Sequence, residues 1–181
     1  AMAGVDPADV NLLLLATCSS DQQFPASASV VQHELGMSCG AIDLNAACSG
    51  FVYGLVTAMQ FAEGGMETIL LIGSDALSGI TDWTDRGTCV LFGDGAGAVV
   101  IQRSAAAPTL LGWDLMSDGS AASILTCEHG GKIFMNGKEV FRRAILAIEG
   151  AATRALERAA VSIDDITLVV PHQANIRIIE A

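Results

Sequence analysis

The sequence is poor in aromatic and basic residues. Aromatic side chains make up 5% of its 181 residues, too few for a surface that stacks bases or sugars. Nine Lys and Arg residues stand against twenty Asp and Glu, and the formal charge of −11 repels polyanions. The composition therefore argues against a nucleic-acid-binding protein, and a phosphate-bearing ligand would need a local basic patch.

Cysteine pairs of the C-x-x-C type and long apolar runs are also missing. The odd number of cysteines and their scattered spacing predict neither a disulfide framework nor a zinc site. The apolar run Leu12–Ala16 is far shorter than the roughly 20 residues that cross a bilayer, and no positively charged leader precedes it. We therefore expect a cytoplasmic protein in a reducing compartment, with no bound metal and no membrane partner. The five cysteines are Cys18, Cys39, Cys48, Cys89 and Cys127.

The sequence does contain the hydrophobic composition and the alternating strand and helix patterns of an α/β protein. Hydrophobic residues make up 51% and charged residues only 16%, which is typical of a compact, core-rich chain. Apolar segments of strand length alternate with longer helical patterns, and this order predicts a largely parallel or mixed sheet. Strands are predicted at 12–16, 41–44, 68–72, 98–102, 110–116 and 167–170, and helices at 25–36, 49–62 and 138–160. The helix 49–62 is apolar nearly all round, so we expect it to be buried.

The sequence patterns at both ends of the chain are typical of an internal fragment of a longer protein. The first residues are typical of a helix entering a turn, and residues 178–181 lie inside a helix that should continue. Missing strands would leave sheet edges and apolar surface uncovered. We therefore expect at most partial activity from these 181 residues alone.

Cys48 is placed where a thiol becomes reactive. It follows the predicted strand 41–44 and stands at the first turn of the predicted helix 49–62, among small neighbours that leave room for a substrate. The helix dipole and the unpaired backbone N–H groups at this position favour a thiolate and can stabilise an oxyanion. Position alone leaves open a buried structural cysteine, which is the commoner fate of a free thiol.

His172 is the partner that the sequence offers to Cys48. It follows the predicted strand 167–170 and Pro171, at the strand end where α/β proteins form their sites. Alone, a histidine here is more often a capping or packing residue. A Cys/His arrangement raises the expectation of catalysis for both residues.

Four motifs together resemble the beta-ketoacyl-[acyl-carrier-protein] synthase III family. They are DLNAACSGF at 43–51, TDRGT at 84–88, FGDGAGA at 92–98 and VPHQAN at 170–175, in the family's order and at similar spacing. The resemblance implies a thiolase-like α/β fold of two βαβ-rich halves with mixed sheets and buried helices, incomplete at both termini. Residues 1–107 would form the N-terminal half with Cys48, and residues 108–181 would begin the C-terminal half with His172.

The same resemblance implies an acyltransferase reaction that initiates fatty-acid synthesis. Cys48 would take an acyl group, typically acetyl, from acyl-coenzyme A. Malonyl-acyl carrier protein would then lose carbon dioxide, and its enolate would attack the Cys48 thioester to give 3-oxoacyl-acyl carrier protein. His172 would donate a hydrogen bond to the developing negative oxygen in a dry site. Coenzyme A thioester is a substrate here, and no cofactor is implied.

Residue roles follow from the matched motifs. Arg86, with Gly87 beside it, would bind the adenine end of coenzyme A, and Asn175 would line the pantetheine tunnel. Phe24 would reach across a homodimer interface and limit the partner's acyl pocket.

The acidic acyl carrier protein would meet a local basic patch. The resemblance assigns Arg142 and Arg177 to this patch. From the residues alone, Arg142 is equally typical of the solvated face of a helix, and Arg86 of a surface charge. The family's third catalytic residue, an asparagine, would lie beyond Ala181.

Three alternatives remain open from the sequence. One is a related coenzyme A-dependent condensing enzyme of polyketide or quinolone type. Another is a Cys/His hydrolase or thioesterase, although no third orienting acid is evident. The last is a non-catalytic fragment that keeps the middle of the fold without a complete site.

Overall fold

A computed structural model describes residues 2–105 and 109–180, and the chain divides into two compact units. The first unit comprises Ala1–Ala76 and Asp94–Thr109, and the second comprises Leu77–Gly93 and Leu110–Ala181. The predicted boundary between residues 107 and 108 lies outside the described residues. The division into two thiolase-like halves therefore stays a prediction.

The first unit is built on a four-stranded mixed sheet. Its strands are β1 (Leu12–Ala16), β2 (Gly40–Leu44), β3 (Thr68–Ala76) and β4 (Asp94–Gln102), in the order β2-β1-β3-β4. Strand β1 runs parallel to both β2 and β3, and β4 runs antiparallel to β3. The carboxyl ends of β1, β2 and β3 therefore lie at one edge of the sheet, called the carboxyl edge below. This confirms the predicted mixed sheet of an α/β fold.

Two helices cover opposite faces of this sheet. Helix α1 (Ser27–Glu34) and helix α2 (Gly50–Glu63) each belong to one of two apolar clusters that share β1. Successive side chains of a strand point to opposite faces, so alternate leucines of β1 enter alternate clusters. Every residue of β1 is buried as a result, which explains its continuous apolar sequence.

Helix α2 is buried on one side only. Its small residues Gly54, Ala58 and Ala62 are buried against the sheet, whereas Val52 is 52% exposed. The expectation of burial all round is therefore only half met within the described residues, because the sheet covers just one face of the helix.

The second unit contains a long helix and little sheet among its described residues. Helix α3 (Gly137–Ala159) begins after Asn136, whose side-chain oxygen accepts the Glu139 N–H, and helix α4 (Ile176–Ile179) contacts it. The short antiparallel strands are β5 (Leu125–Thr126) and β6 (Phe134–Met135). The chain also contains 3-10 helices at Pro7–Asp9, Ala47–Ser49, Leu77–Gly79, Gly119–Ile124 and Ile163–Asp165.

Two predicted strands of the second unit are wrong. Residues 110–116 are extended along α3 without a strand partner, and a Cβ placed on Gly112 would lie 2.4 Å from the Ala155 carbonyl oxygen. Their apolar side chains therefore have a helix, not a sheet, to pack on. Residues 167–170 also form no strand, and Val170 is 79% exposed. A strand needs a neighbouring backbone for its hydrogen bonds, and the described residues supply none here.

The helices do not meet the requirements of a membrane span. Across residues 2–105 and 109–180, none is both long enough and apolar enough to cross a bilayer.

Candidate functional site

The Cys48 turn connects β2 to α2 in very few residues. Asn45 Oδ1 accepts the Ala47 N–H at 3.1 Å, and Ala47 adopts φ of 45°, in the left-handed region that non-glycine residues rarely occupy. The 3-10 helix Ala47–Ser49 follows, and α2 continues directly from Gly50. This tight reversal places Cys48 at the foot of α2, as the sequence predicts.

Two glycines let the start of α2 approach the carboxyl edge closely. A Cβ on Gly50 would lie 3.3 Å from Ala16 Cβ, and a Cβ on Gly73 would lie 3.2 Å from Phe51 Cδ2. Both separations are tighter than ordinary van der Waals contact. The helix turn that follows Cys48 is therefore fitted onto the ends of β1 and β3.

A carboxylate that the sequence analysis did not select lies at the same edge. Asp75 Oδ1 accepts hydrogen bonds from Thr17 Oγ1 (3.2 Å), the Cys18 N–H (2.8 Å) and Ser19 Oγ (3.0 Å). Ser19 Oγ in turn accepts the Ala76 N–H at 2.8 Å. Residues 17–19, the segment after β1, are thereby tied to the end of β3.

The electrostatics at Cys48 differ from the expectation. Cys48 is accessible to solvent, yet desolvation of its sulfur raises the pKa of the thiol above 9.0, and the negative charge of Asp75 raises it further. A backbone hydrogen bond acts in the opposite direction. Burial and a nearby carboxylate therefore act against the thiolate that the helix terminus favours.

The pKa of the Cys18 thiol is also raised by its surroundings. Burial raises the pKa of its thiol to about 12, with further contributions from the charge and hydrogen bond of Asp75 and from Cys48. The interactions of Cys18 and Cys48 with Asp75 place all three side chains in one neighbourhood. A sequence signal was available, because polar residues 17–19 close an apolar strand and Asp75 ends another.

His172 and Asn175 lie in the segment leading into α4 of the second unit. His172 is exposed. Asn175 Oδ1 accepts the Arg177 N–H at 3.0 Å, so this side chain caps the helix. The pairing of Cys48 with His172 stays a prediction.

Arg86 and Gly87 lie in an exposed tight turn of the second unit. Asp85 Oδ1 accepts the Gly87 N–H at 2.9 Å, and the neighbouring Thr88 is buried. The Arg86 guanidinium is exposed and has no ion pair within the part of the chain that the structure describes. This loop therefore offers a positive charge to an anionic ligand.

The three residues expected to bind partners are all exposed. Arg142 pairs with Glu139 at 2.9 Å on α3, Arg177 lies on α4, and Phe24, just before α1, is 82% exposed. Their roles stay predictions. Among the described residues, no three His, Cys, Asp or Glu side chains are grouped so that they could hold a metal ion.

Comparison with known proteins assigns the family. The family model of 3-Oxoacyl-[acyl-carrier-protein (ACP)] synthase III matches residues 42–133, which include Cys48 and Arg86. The chain belongs to this family. A curated synthase III relative from Listeria welshimeri is 47% identical over 99% of the chain, and the chain spans 58% of that relative's length.

Solved structures of the synthase III family have the same fold. The enzyme from Aquifex aeolicus matches with a TM-score of 0.95 and 42% identity, over 98% of this chain and 58% of its own. A priming beta-ketosynthase of a polyketide biosynthetic pathway matches with a TM-score of 0.88 and 34% identity, over 98% of this chain and 57% of its own. The thiolase-like fold class is thereby confirmed.

Proposed function

We propose that the protein containing this chain is an acyltransferase that condenses an acyl-coenzyme A starter with malonyl-acyl carrier protein. The starter is acetyl-coenzyme A and the product is 3-oxoacyl-acyl carrier protein, which initiates fatty-acid synthesis. The observation that carries this proposal is the position of Cys48, at the foot of α2 on the carboxyl edge, inside the segment matched by the family model.

The first half-reaction transfers the acyl group to the protein. The Cys48 sulfur attacks the thioester carbonyl of the starter, a new carbon–sulfur bond forms, and coenzyme A leaves as a thiol after taking up the proton. Because the pKa of the Cys48 thiol is raised, the resting sulfur is protonated at neutral pH and must lose its proton during attack.

The second half-reaction forms the carbon–carbon bond. Malonyl-acyl carrier protein loses carbon dioxide, and the electron pair of the broken bond forms an enolate. The enolate carbon attacks the acyl-Cys48 carbonyl, and the Cys48 sulfur leaves. A hydrogen bond from His172 to the negative oxygen lowers the barrier to decarboxylation.

The remaining residues are assigned to substrates and partners. Arg86 and Gly87 bind coenzyme A, a role that the exposed guanidinium and the tight turn support. Asn175 lines the pantetheine path while capping α4. Phe24 limits the acyl pocket of a partner subunit in a homodimer.

The acyl carrier protein docks on a basic patch. Arg142 and Arg177 supply its charge, on the helices α3 and α4, which contact each other. Their positive charges complement an acidic partner. We place the reaction in the cytoplasm.

A second candidate is the priming condensation of a polyketide pathway. The likeness to a polyketide priming beta-ketosynthase at 34% identity favours it. The two candidates share the Cys48 chemistry and differ in the starter they accept.

Mass spectrometry of the intact protein tests the proposal. After incubation with acetyl-coenzyme A, we expect one acetyl group on the peptide containing Cys48, and none after Cys48→Ser. Cys127→Ser is the matched control, because Cys127 is also an exposed free thiol. An acetyl group elsewhere, or no 3-oxoacyl product when malonyl-acyl carrier protein is added, would overturn the assignment. Preference for a starter other than acetyl-coenzyme A in a competition assay would favour the polyketide candidate.

A further inference from the structure

The strongest feature outside the proposed chemistry is the carboxylate of Asp75. It lies at the end of β3, two residues after Gly73 and four after Leu71. Alternate residues of a strand share a face, so all three side-chain positions face the same way. Gly73 lies against Phe51 and Leu71 lies against Gly54, so this is the face that α2 covers.

Asp75 uses one oxygen atom for three hydrogen bonds. Thr17 Oγ1, the Cys18 N–H and Ser19 Oγ all donate to Oδ1, at 3.2, 2.8 and 3.0 Å. These three donors belong to the segment that follows β1, and they precede Asp75 by more than fifty residues in the sequence. Hydrogen bonds to a charged acceptor are stronger than neutral ones, so this segment is held in one conformation.

We propose that Asp75 is a positioning residue of the Cys48 site. Its carboxylate fixes residues 17–19 at the carboxyl edge and places a negative charge beside the nucleophile. This inference rests on the proposed role of Cys48, and it adds a residue that the condensation chemistry itself does not use.

Other titratable groups lie on the elements that surround Cys48. They are Cys18 after β1, Asp43 on β2, Tyr53 on α2 and Asp94 at the start of β4, opposite Ala76. Asp43 is engaged with α1, since it accepts the Ser27 and Ala28 N–H groups. Asp75 is the carboxylate whose charge acts on the pKa of Cys48.

The use of one oxygen permits a sharp test. Asp75→Asn keeps a carbonyl oxygen that accepts the same three hydrogen bonds but removes the charge, whereas Asp75→Ala removes both. In the intact protein, we expect Asp75→Asn to speed alkylation of Cys48 by iodoacetamide at neutral pH roughly threefold or more, because removal of the charge lowers the pKa of the thiol. The pH midpoint of alkylation should fall accordingly.

Glu67→Gln is the matched control. It also removes one negative charge, but Glu67 pairs with Arg103 beside the opposite end of β3. We expect the alkylation profile of Cys48 in this variant to equal that of the wild type. If Asp75→Asn and Glu67→Gln give the same profile, the charge of Asp75 has no role at Cys48 and the inference is overturned.

Hydrogen exchange of the Cys18 amide tests whether Asp75 positions residues 17–19. Thr17→Val and Ser19→Ala each remove one donor and keep the charge, so they remain informative even if Asp75→Asn does not fold. We expect faster hydrogen exchange of the Cys18 amide in both, and in Asp75→Ala, than in the wild type. Unchanged exchange in Thr17→Val and Ser19→Ala would contradict the positioning role. Alkylation and exchange need no acyl transfer, so failure of the condensation assay is a separate result.

Discussion

Gly54 of α2 lies directly against Leu71 of β3. A Cβ built on Gly54 would come within 2.5 Å of Leu71 Cδ1, closer than real Cβ contacts allow. Both residues are buried between α2 and the face of the sheet that this helix covers. The absence of one methyl group thus sets how closely α2 approaches the sheet.

Gly54→Ala should therefore destabilise the first unit. Overpacking of a closed core costs about 1–3 kcal/mol, and this exceeds the gain in helix propensity from Gly to Ala of about 1 kcal/mol. The midpoint of urea unfolding measures the change. Gly40→Ala is the control, because its Cβ would meet Leu12 Cδ1 at an ordinary 3.6 Å. Equal midpoints for the two variants would show that Leu71 moves aside.

Asp43→Ala should destabilise the start of α1. Ala26 provides no side-chain cap, and Asp43 from β2 instead accepts the Ser27 and Ala28 N–H groups at 2.8 and 2.7 Å. Loss of a helix cap costs about 0.5–2 kcal/mol. Urea unfolding should show this loss, and Asp21→Ala, at an exposed site, should change the free energy of unfolding by less than about 0.5 kcal/mol. A cost no greater than that of the control would mean that water replaces the cap.

Acid should weaken the attachment of residues 110–116 to α3. Asp114, with its side chain 5% exposed, pairs with Arg154 at 2.8 Å and Arg158 at 2.9 Å, and the hydrogen bond from Arg154 lowers the pKa of its carboxyl below 3.8. A carboxyl whose pKa is lower in the folded state stabilises that state above its unfolded pKa. This contribution should be lost as the pH falls below about 4 and passes through the folded value.

Acid unfolding of Asp114→Asn tests this expectation. The variant lacks the titrating carboxyl, so the difference in unfolding free energy from the wild type should shrink as the pH falls from neutral towards acid. Circular dichroism at several pH values measures the curve. A difference that stays constant over this range would contradict the linkage.

Cys18 should resist alkylation at neutral pH. With a pKa of about 12, its thiolate fraction at neutrality is on the order of 1 in 10⁵. Peptide mass spectrometry after limited iodoacetamide treatment should find label on the exposed Cys48 and Cys127 before Cys18. Labelling of Cys18 first would show that the segment after β1 opens readily.

Much of the first unit was predictable because its signals are local. The run Leu12–Ala16 is apolar at every position, which is typical of a strand covered on both faces, and β1 has that environment. The observed α2 begins and ends within about a residue of the predicted helix. The junction of strand and helix at Cys48 follows from these two boundaries and from the small residues between them.

The second unit was harder to predict because strand formation depends on a partner. Residues 110–116 and 167–170 have apolar sequences typical of strands, but the described residues provide no neighbouring backbone for either. The first segment instead lies along α3, where Gly112 permits close contact. A pattern of side chains specifies a preferred face, and only a partner specifies a sheet.

The sequence by itself determined the order of the strands and helices of the first unit, the place of Cys48 at the foot of α2 and the four motifs of the family. Only the tertiary structure decided which groups surround the thiol. Asp75 lies 27 positions from Cys48 in the numbering and meets it because parallel strands end at one edge of a sheet. Burial and that carboxylate raise the pKa that the helix terminus alone would lower.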